Sequence, residues 1–192
     1  MVDDGVSGEV VMPLAWLGRP SKQALGDLWA YQAIITETTP DVIVELGAGQ
    51  GGTALYLASV CAMLGHGQVI TVDRGRTHHD GYRPVTVEDR LTWLLGDLAS
   101  LDIYAQMRAY AEGQRVMVIH DAEHDVVSVL RDLDLYASLV TPGCYLIVCD
   151  TNQLGAAQAV ARFLVTHPDF TPDPAREPAD TWNPGGYLRR SG

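Results

Sequence analysis

Five acids in this sequence share one kind of address. Glu45, Asp73, Asp97, Asp121 and Asp150 each end, or directly follow, a short apolar run rich in β-branched residues. Carboxylates on successive strand ends accept hydrogen bonds from sugar hydroxyls and amines, pair with a cation, and orient a hydroxyl for attack. A solvated face would scatter its acids along helices instead. Three residues beyond Asp121 stands His124, one helical turn on if the segment is helical. Imidazole is the side chain best suited to taking a proton from an alcohol near neutral pH. The pattern therefore joins a ligand-holding rim to a candidate general base. The bland alternative for His124 is a helix-start histidine paired with Glu123 or Asp125. His120, inside its apolar run, reads as a satisfied core histidine.

The first of the five acids belongs to a longer stretch, residues 42–52, which passes from a β-branched run into a glycine-rich turn. Leu55, Leu57, Ala58, Cys61 and Leu64 follow on helical spacing. Glycines at such a turn let backbone N–H groups approach a ligand at the positive end of a helix. Two ligand classes fit. Gly47, Gly49 and Gly52 satisfy G-x-G-x-x-G, with Asp73 ending the next strand, as in a dinucleotide site. Glu45 argues against a pyrophosphate, which its carboxylate would repel, and for a cationic ligand such as the ammonium of S-adenosylmethionine (SAM). The preferred reading is E-x-G-x-G-x-G through Glu45, Gly47, Gly49 and Gly51, with Gly52 and Thr53 opening the helix. Asp73 is then placed for ribose hydroxyls, and Gly96-Asp97 for an adenine amine. Asp121 and Asp150 lie beyond, where an acceptor would sit.

These residues need a frame to hold them. Residues 1–20 read as an irregular arm punctuated by Pro13, Gly18 and Pro20, and residues 21–192 as one domain. Ser21 is placed to cap a helix running to Thr38. Strands over 42–46, 68–73, 91–95, 115–120 and 145–149 alternate with helices, one near 101–111, one opening at Asp121 and running to about 139, and one over 156–165. The proline-rich tail to Leu188 supplies the last strands. Residues 74–89, including His78, His79, Asp80 and Gly81, show neither period and read as a mobile loop. The expected fold is α/β: a single-domain, doubly wound, mostly parallel Rossmann-like sheet with helices on both faces and ligands at the carboxyl ends of its strands.

Composition narrows the partners. Thirteen basic residues against 24 acidic ones give a net charge of −11, which disfavours nucleic acid and anionic membranes. No apolar run approaches membrane-spanning length, and the N-terminus lacks the pattern of a signal peptide. Cys61, Cys144 and Cys149 show no paired spacing, so a reducing cytoplasm is the expected setting.

Several motifs together resemble one known family, the cephalosporin hydroxylase-like, macrolide-sugar O-methyltransferase group of class I SAM enzymes. They are Asp27-Leu28-Trp29-Ala30-Tyr31-Gln32, the Ile43-Val44-Glu45-Leu46-Gly47 strand with Gly51-Gly52-Thr53-Ala54, and Val69-Ile70-Thr71-Val72-Asp73 with Gly96-Asp97. Further on stand Val116-Met117-Val118-Ile119-His120-Asp121-Ala122-Glu123-His124, Tyr145-Leu146-Ile147-Val148-Cys149-Asp150-Thr151, and the distinctive Asn183-Pro184-Gly185-Gly186-Tyr187-Leu188-Arg189-Arg190. The resemblance implies that the aspartate matching Asp121 and a Glu-Asp pair ending the fifth strand bind a divalent cation, usually magnesium, and that the histidine matching His124 is the base. Here that pair reads Cys149-Asp150, which leaves Asp121 and Asp150 as the metal candidates. A thiol substitutes poorly for a hard oxygen ligand, although a softer ion on Asp121, Cys149 and Asp150 is an alternative.

The implied function is a SAM-dependent methyltransferase that O-methylates a hydroxyl of a small-molecule specialised metabolite, such as an antibiotic, or its sugar. His124 would take the proton while Asp121 and Asp150 orient the hydroxyl. The expected partners are the small-molecule acceptor and further copies of the same chain. Two other readings stay open: a SAM-binding accessory subunit without its own chemistry, and an NAD(P)-dependent oxidoreductase.

Overall fold

A computed structural model describes residues 14–75, 87 and 89–192. The chain enters through a small hairpin, β1 (Ala15–Trp16) and β2 (Arg19–Pro20), turned at Leu17 and Gly18, both with positive φ. It then runs through α1 (Leu25–Thr38), β3 (Val42–Leu46), α2 (Gly52–Leu64), β4 (Gln68–Asp73), β5 (Leu91–Leu95), α3 (Leu101–Ala111) and β6 (Val116–His120). The rest comprises α4 (Val126–Tyr136), β7 (Tyr145–Val148), α5 (Leu154–Thr166), β8 (Phe170–Pro172) and β9 (Tyr187–Arg190), with single 3₁₀ turns at Ala137–Leu139 and Pro174–Arg176. The expected loop with His78, His79, Asp80 and Gly81 lies outside the described residues.

Seven strands form one sheet in the order β5-β4-β3-β6-β7-β9-β8. The first five are parallel, and β9 runs antiparallel to both β7 and β8. Alternation along the central strands builds two cores. Val42, Val44 and Leu46 of β3 face Ile103, Leu133 and Phe163 on α3, α4 and α5. Ile43, with Met117 and Ile147, faces Tyr31, Ile34 and Leu57 on α1 and α2. Burial on both faces explains why β3 and β6 read as nearly unbroken apolar runs. It also makes the single polar residue within β3, Glu45, an exception that needs a reason.

The helix starts differ from expectation in two places. Ser21 does not cap α1: the cap position is Ala24, which makes no side-chain cap bond, and the Ser21 hydroxyl instead pairs with Thr53 Oγ1 at 2.9 Å. Residues 121–125 are not helical. Asp125 accepts from the N–H groups of Val127 and Ser128, both at 3.0 Å, and so fixes the start of α4 at Val126. The described part of the arm is also more ordered than its composition suggests. From residue 14 it packs on α2, where Trp16 meets the Tyr56 ring edge-on at 5.0 Å and donates to Ser59 Oγ at 2.9 Å. Among the described residues no helix is long and apolar enough to cross a membrane.

Candidate active site

The strand order reverses between β3 and β6, one running on to β4 and the other to β7. That divergence opens a crevice at their carboxyl ends. A cleft of about 360 Å³ lies there. Gly47, Gly49, Gly52, Thr53, Asp73, Gly96, Asp121, His124 and Asp150 all line it, so nine of the residues singled out from the sequence meet in one place. Pro20 at the end of β2, with Ser21 and Lys22 after it, forms a further wall.

The floor is made by the glycine loop. Gly47 has φ +98°, and a Cβ there would lie 2.1 Å from the Asp121 carbonyl oxygen, so only glycine lets β3 and β6 come together at this point. Gly51 takes the cap position of α2 with φ 82°, and no side chain caps that helix. Its first-turn N–H groups therefore remain available to an anionic group, such as a ligand carboxylate. Asp73 stands opposite, its two oxygens accepting from Gly49 N–H at 2.8 Å and Gly75 N–H at 2.9 Å. Each carboxylate oxygen keeps a lone pair for a ligand hydroxyl.

Glu45 is not part of the cleft wall. It is fully buried beneath the loop, where Thr71 donates to Oε2 and Oε1 has no hydrogen-bond partner among the described residues. Burial is the main reason its carboxyl is pushed from 4.5 up to about 8, with Asp121 and Asp73 adding repulsion against the Thr71 bond. An orphaned buried carboxyl oxygen is costly and is the natural partner for a ligand's ammonium. Asp97 likewise stands off the wall. Ala99 N–H donates to it at 2.9 Å, and Arg74 bridges from it (3.2 Å) to Glu123 (2.9 Å) across the cleft mouth. These contacts, the backbone one foremost, hold Asp97 below the ordinary carboxylate value.

The β6–β7 side of the cleft, the expected acceptor side, gathers Asp121, His124 and Asp150. Asp150 is strained, with φ 55°, and its Oδ2 lies 2.9 Å from His124 Nε2. Asp121 sits partly buried beside them, with Gln23 Nε2 donating to its Oδ2 at 2.8 Å. Desolvation raises Asp121 to about 7 and Asp150 adds to the rise, while Gln23, His124 and Lys22 oppose it. Asp150 is raised as well, by desolvation first, with His124 countering.

Cys149 does not join this group. Its Sγ is buried on the α1 side of the sheet, 3.3 Å from Tyr31 Oη, and burial holds the thiol well above its ordinary value, so it stays protonated. Among the described residues no three His, Cys, Asp or Glu side chains are placed to hold a metal ion. The donor set therefore does not fit the softer ion on Asp121, Cys149 and Asp150. For magnesium it leaves Asp121 and Asp150, within the one or two carboxylates that ion takes from a protein beside its retained waters.

Sequence reasoning missed Gln23, Tyr31, Asn183, Lys22 and Arg74. Asn183 accepts from the Asp150 N–H at 2.8 Å and donates to Tyr31 Oη at 3.0 Å; Tyr31 in turn donates to Gln23 Oε1 at 2.9 Å. The sequence signal is the Asn183-Pro184-Gly185-Gly186-Tyr187 motif, whose spacing alone assigns it no role. It is now seen to brace the end of β7, with Thr151 Oγ1 donating to Pro184 O at 2.8 Å.

A glycine loop at a switch point, an acid ending β4 and a polar rim beyond β6 define a nucleotide-cofactor-binding protein of the doubly wound α/β class. More narrowly, residues 9–191 match the model of one family, Rhamnosyl O-methyltransferase/CmcI, and the chain belongs to that family. A rhamnosyl O-methyltransferase of Mycobacterium leprae (strain TN) is 29% identical over 143 residues, 73% of this chain and 61% of that protein. The chain thus spans about three fifths of that relative's length. A rhamnosyl O-methyltransferase of Mycobacterium bovis (strain BCG / Pasteur 1173P2) is 27% identical over 198 residues, covering 92% of this chain and 78% of the relative. A solved structure of CmcI with magnesium and SAM superposes with a TM-score of 0.75 at 22% identity, over 93% of this chain and 77% of that one. At that identity the likeness concerns the fold, which is that of a class I methyltransferase.

Proposed function

We propose that this chain is a SAM-dependent O-methyltransferase acting on a hydroxyl of a small molecule, a specialised metabolite or the sugar it carries. The observation that carries the reading is the His124–Asp150 pair at 2.9 Å beside Asp121, on the rim facing the glycine loop. When bound, SAM supplies an electrophilic methyl on a sulfonium. The chain's own residues do the rest. Asp73 accepts from ribose hydroxyls, the uncapped turn of α2 receives the methionine carboxylate, and Glu45 Oε1 takes the ammonium. Asp150 accepts from His124 Nε2–H, which leaves Nδ1 as the nitrogen that removes the acceptor's proton. As the acceptor oxygen bonds to the methyl and the carbon–sulfur bond breaks, that proton passes to Nδ1, and Asp150 stabilises the resulting imidazolium. Asp121 orients the hydroxyl.

No step is routed through magnesium: Asp121 and Asp150 would hold it, weakly with the Cys149 thiol in place of a further oxygen ligand, and it would orient the acceptor's hydroxyl. A chelator is expected to leave turnover largely intact. The reading also sets the enzyme in a reducing cytoplasm, where its three buried free cysteines persist as thiols, and as a homo-oligomer, which light scattering checks.

The deciding experiment incubates the protein with SAM and a panel of hydroxylated natural products and glycosides, and scans for a methyl-sized mass gain. Product formation is expected. Tight S-adenosylhomocysteine binding with no acceptor methylated would favour a SAM-binding accessory subunit instead. NAD binding without SAM binding would favour an oxidoreductase.

A further inference from the structure

The two acids of the acceptor side are joined behind the cleft by a continuous run of buried hydrogen bonds. It starts at the Asp150 backbone N–H, which donates to Asn183 Oδ1 at 2.8 Å. Asn183 Nδ2 donates to Tyr31 Oη at 3.0 Å, Tyr31 donates to Gln23 Oε1 at 2.9 Å, and Gln23 Nε2 donates to Asp121 Oδ2 at 2.8 Å. Asn183, Tyr31 and Gln23 are all buried, and none of the three lines the cleft.

The run has a direction set at its first member. A backbone N–H can only donate, so the Asn183 oxygen must face it and the Asn183 NH₂ must face Tyr31. Tyr31 Oη, already accepting, then turns its proton to Gln23 Oε1. Gln23 is left presenting NH₂, a pure donor, to Asp121. Cys149, 3.3 Å from Tyr31 Oη and still carrying its proton, fits the remaining lone pair of that oxygen. On the other side, Asp150 Oδ2 meets His124 Nε2, and His124 is three residues from Asp121. The contacts thus form a ring: Asp121, Gln23, Tyr31, Asn183, Asp150, His124 and back along the chain.

We propose that Gln23 is a positioning residue of the methyl-transfer site, the last link of a buried hydrogen-bond relay that fixes the Asp121 carboxylate relative to the His124–Asp150 pair. This rests on the methyltransferase reading above. Gln23 lies off the cleft wall, away from where acceptor and cofactor would sit. It acts by holding one Asp121 oxygen so that the other is aimed at the acceptor hydroxyl. A misplacement of about 1 Å in such a group costs up to about 10²-fold in rate.

The test uses Gln23→Leu, Tyr31→Phe and the double variant. Tyr31→Phe removes one oxygen from the middle of the relay and keeps the ring packed. Three measurements go together: S-adenosylhomocysteine affinity and melting temperature, the side-chain carboxamide NMR signals of Gln23 and Asn183, and kcat and KM with the acceptor found in the panel. In wild type both carboxamides are expected as shifted, exchange-protected signals, and in Tyr31→Phe both should move toward free-amide positions. Each single variant should lose about 10–10²-fold in kcat with KM and cofactor affinity within about twofold, and the double variant should be no worse than the poorer single. The proposal is overturned by additive losses in the double variant, by a rate loss that only follows the folded fraction, or by an unmoved Gln23 signal in Tyr31→Phe. A panel yielding no product overturns the methyl-transfer reading and the positioning role with it. The carboxamide signals then report separately on whether the relay exists.

Discussion

Asp97 and Asp121 occupy equivalent places, each just past the carboxyl end of a parallel strand, yet their surroundings push them in opposite directions. Asp97 is exposed, accepts from a backbone N–H and faces Arg74, and its carboxyl is held below the ordinary value. Asp121 is withdrawn from water next to a second acid, and burial raises it to about 7. The contrast extends to whole halves of the cleft. The β4–β5 side is built from backbone amides and solvent-screened ion pairs that yield cheaply. The β6–β7 side is built from buried polar groups whose loss leaves orphaned partners in a low-dielectric interior. On the proposed reading, the first half suits a cofactor that must enter and leave, and the second holds reacting groups in place.

The largest expected effect lies on the buried side. His124→Ala should cut turnover by about 10²–10⁴-fold while S-adenosylhomocysteine affinity, measured by calorimetry, stays put. Near-wild-type turnover would remove His124 from the base role and reduce the acceptor side to scaffolding. Next comes Asp73→Ala, which takes away the acceptor of the Gly49 and Gly75 amides and of the ribose. A loss of about 1.5–3 kcal/mol in cofactor affinity is expected, with little change in kcat at saturation. Unchanged affinity would place the ribose elsewhere.

Glu45→Gln probes the ground between the halves. Folded Glu45 keeps its proton up to about 8, whereas an ordinary carboxyl releases it near 4.5. Across that window the unfolded chain binds fewer protons than the folded one, so stability falls as pH rises. The glutamine variant lacks this slope. Its melting temperature should match wild type near pH 5 and exceed it near pH 8, and parallel pH curves for the two proteins would rule the buried acid out. Arg74→Ala is expected to do least. Its ion pairs to Asp97 and Glu123 are half exposed, so stability should change by under about 1 kcal/mol, a difference that high salt erases. A larger, salt-resistant loss would mean the two halves are not as different as their exposure implies.

The sequence was most legible where one residue's neighbours in the chain determine its environment. The glycine loop, the strand over Leu91–Leu95 and the helix over Leu101–Ala111 follow from local period and turn chemistry. So did the placing of Asp73, Asp121 and Asp150 on one rim, since strand direction in a parallel sheet dictates it. Illegible were contacts spanning great lengths of chain. Gln23 meets Asp121 across 98 residues and Asn183 meets Tyr31 across 152, and neither pairing leaves a periodic trace. Ser21 was misread for the same reason, because Thr53 competes for its hydroxyl. For Glu45, residue type suggests a carboxylate for a ligand, while its burial beneath the loop with Oε1 unpartnered is set by the pleat and the strands on either side.

The polar ring behind the cleft also shapes how such a sequence drifts through descent. Changing one of Gln23, Tyr31 or Asn183 strands a donor or acceptor among apolar neighbours, whereas changing partners together can be nearly neutral. Viable routes away from this arrangement therefore run through paired substitutions between distant parts of the gene, and single-letter steps at these positions are purged. Among descendants the three side chains should be inherited as a block, exchanged wholesale or not at all.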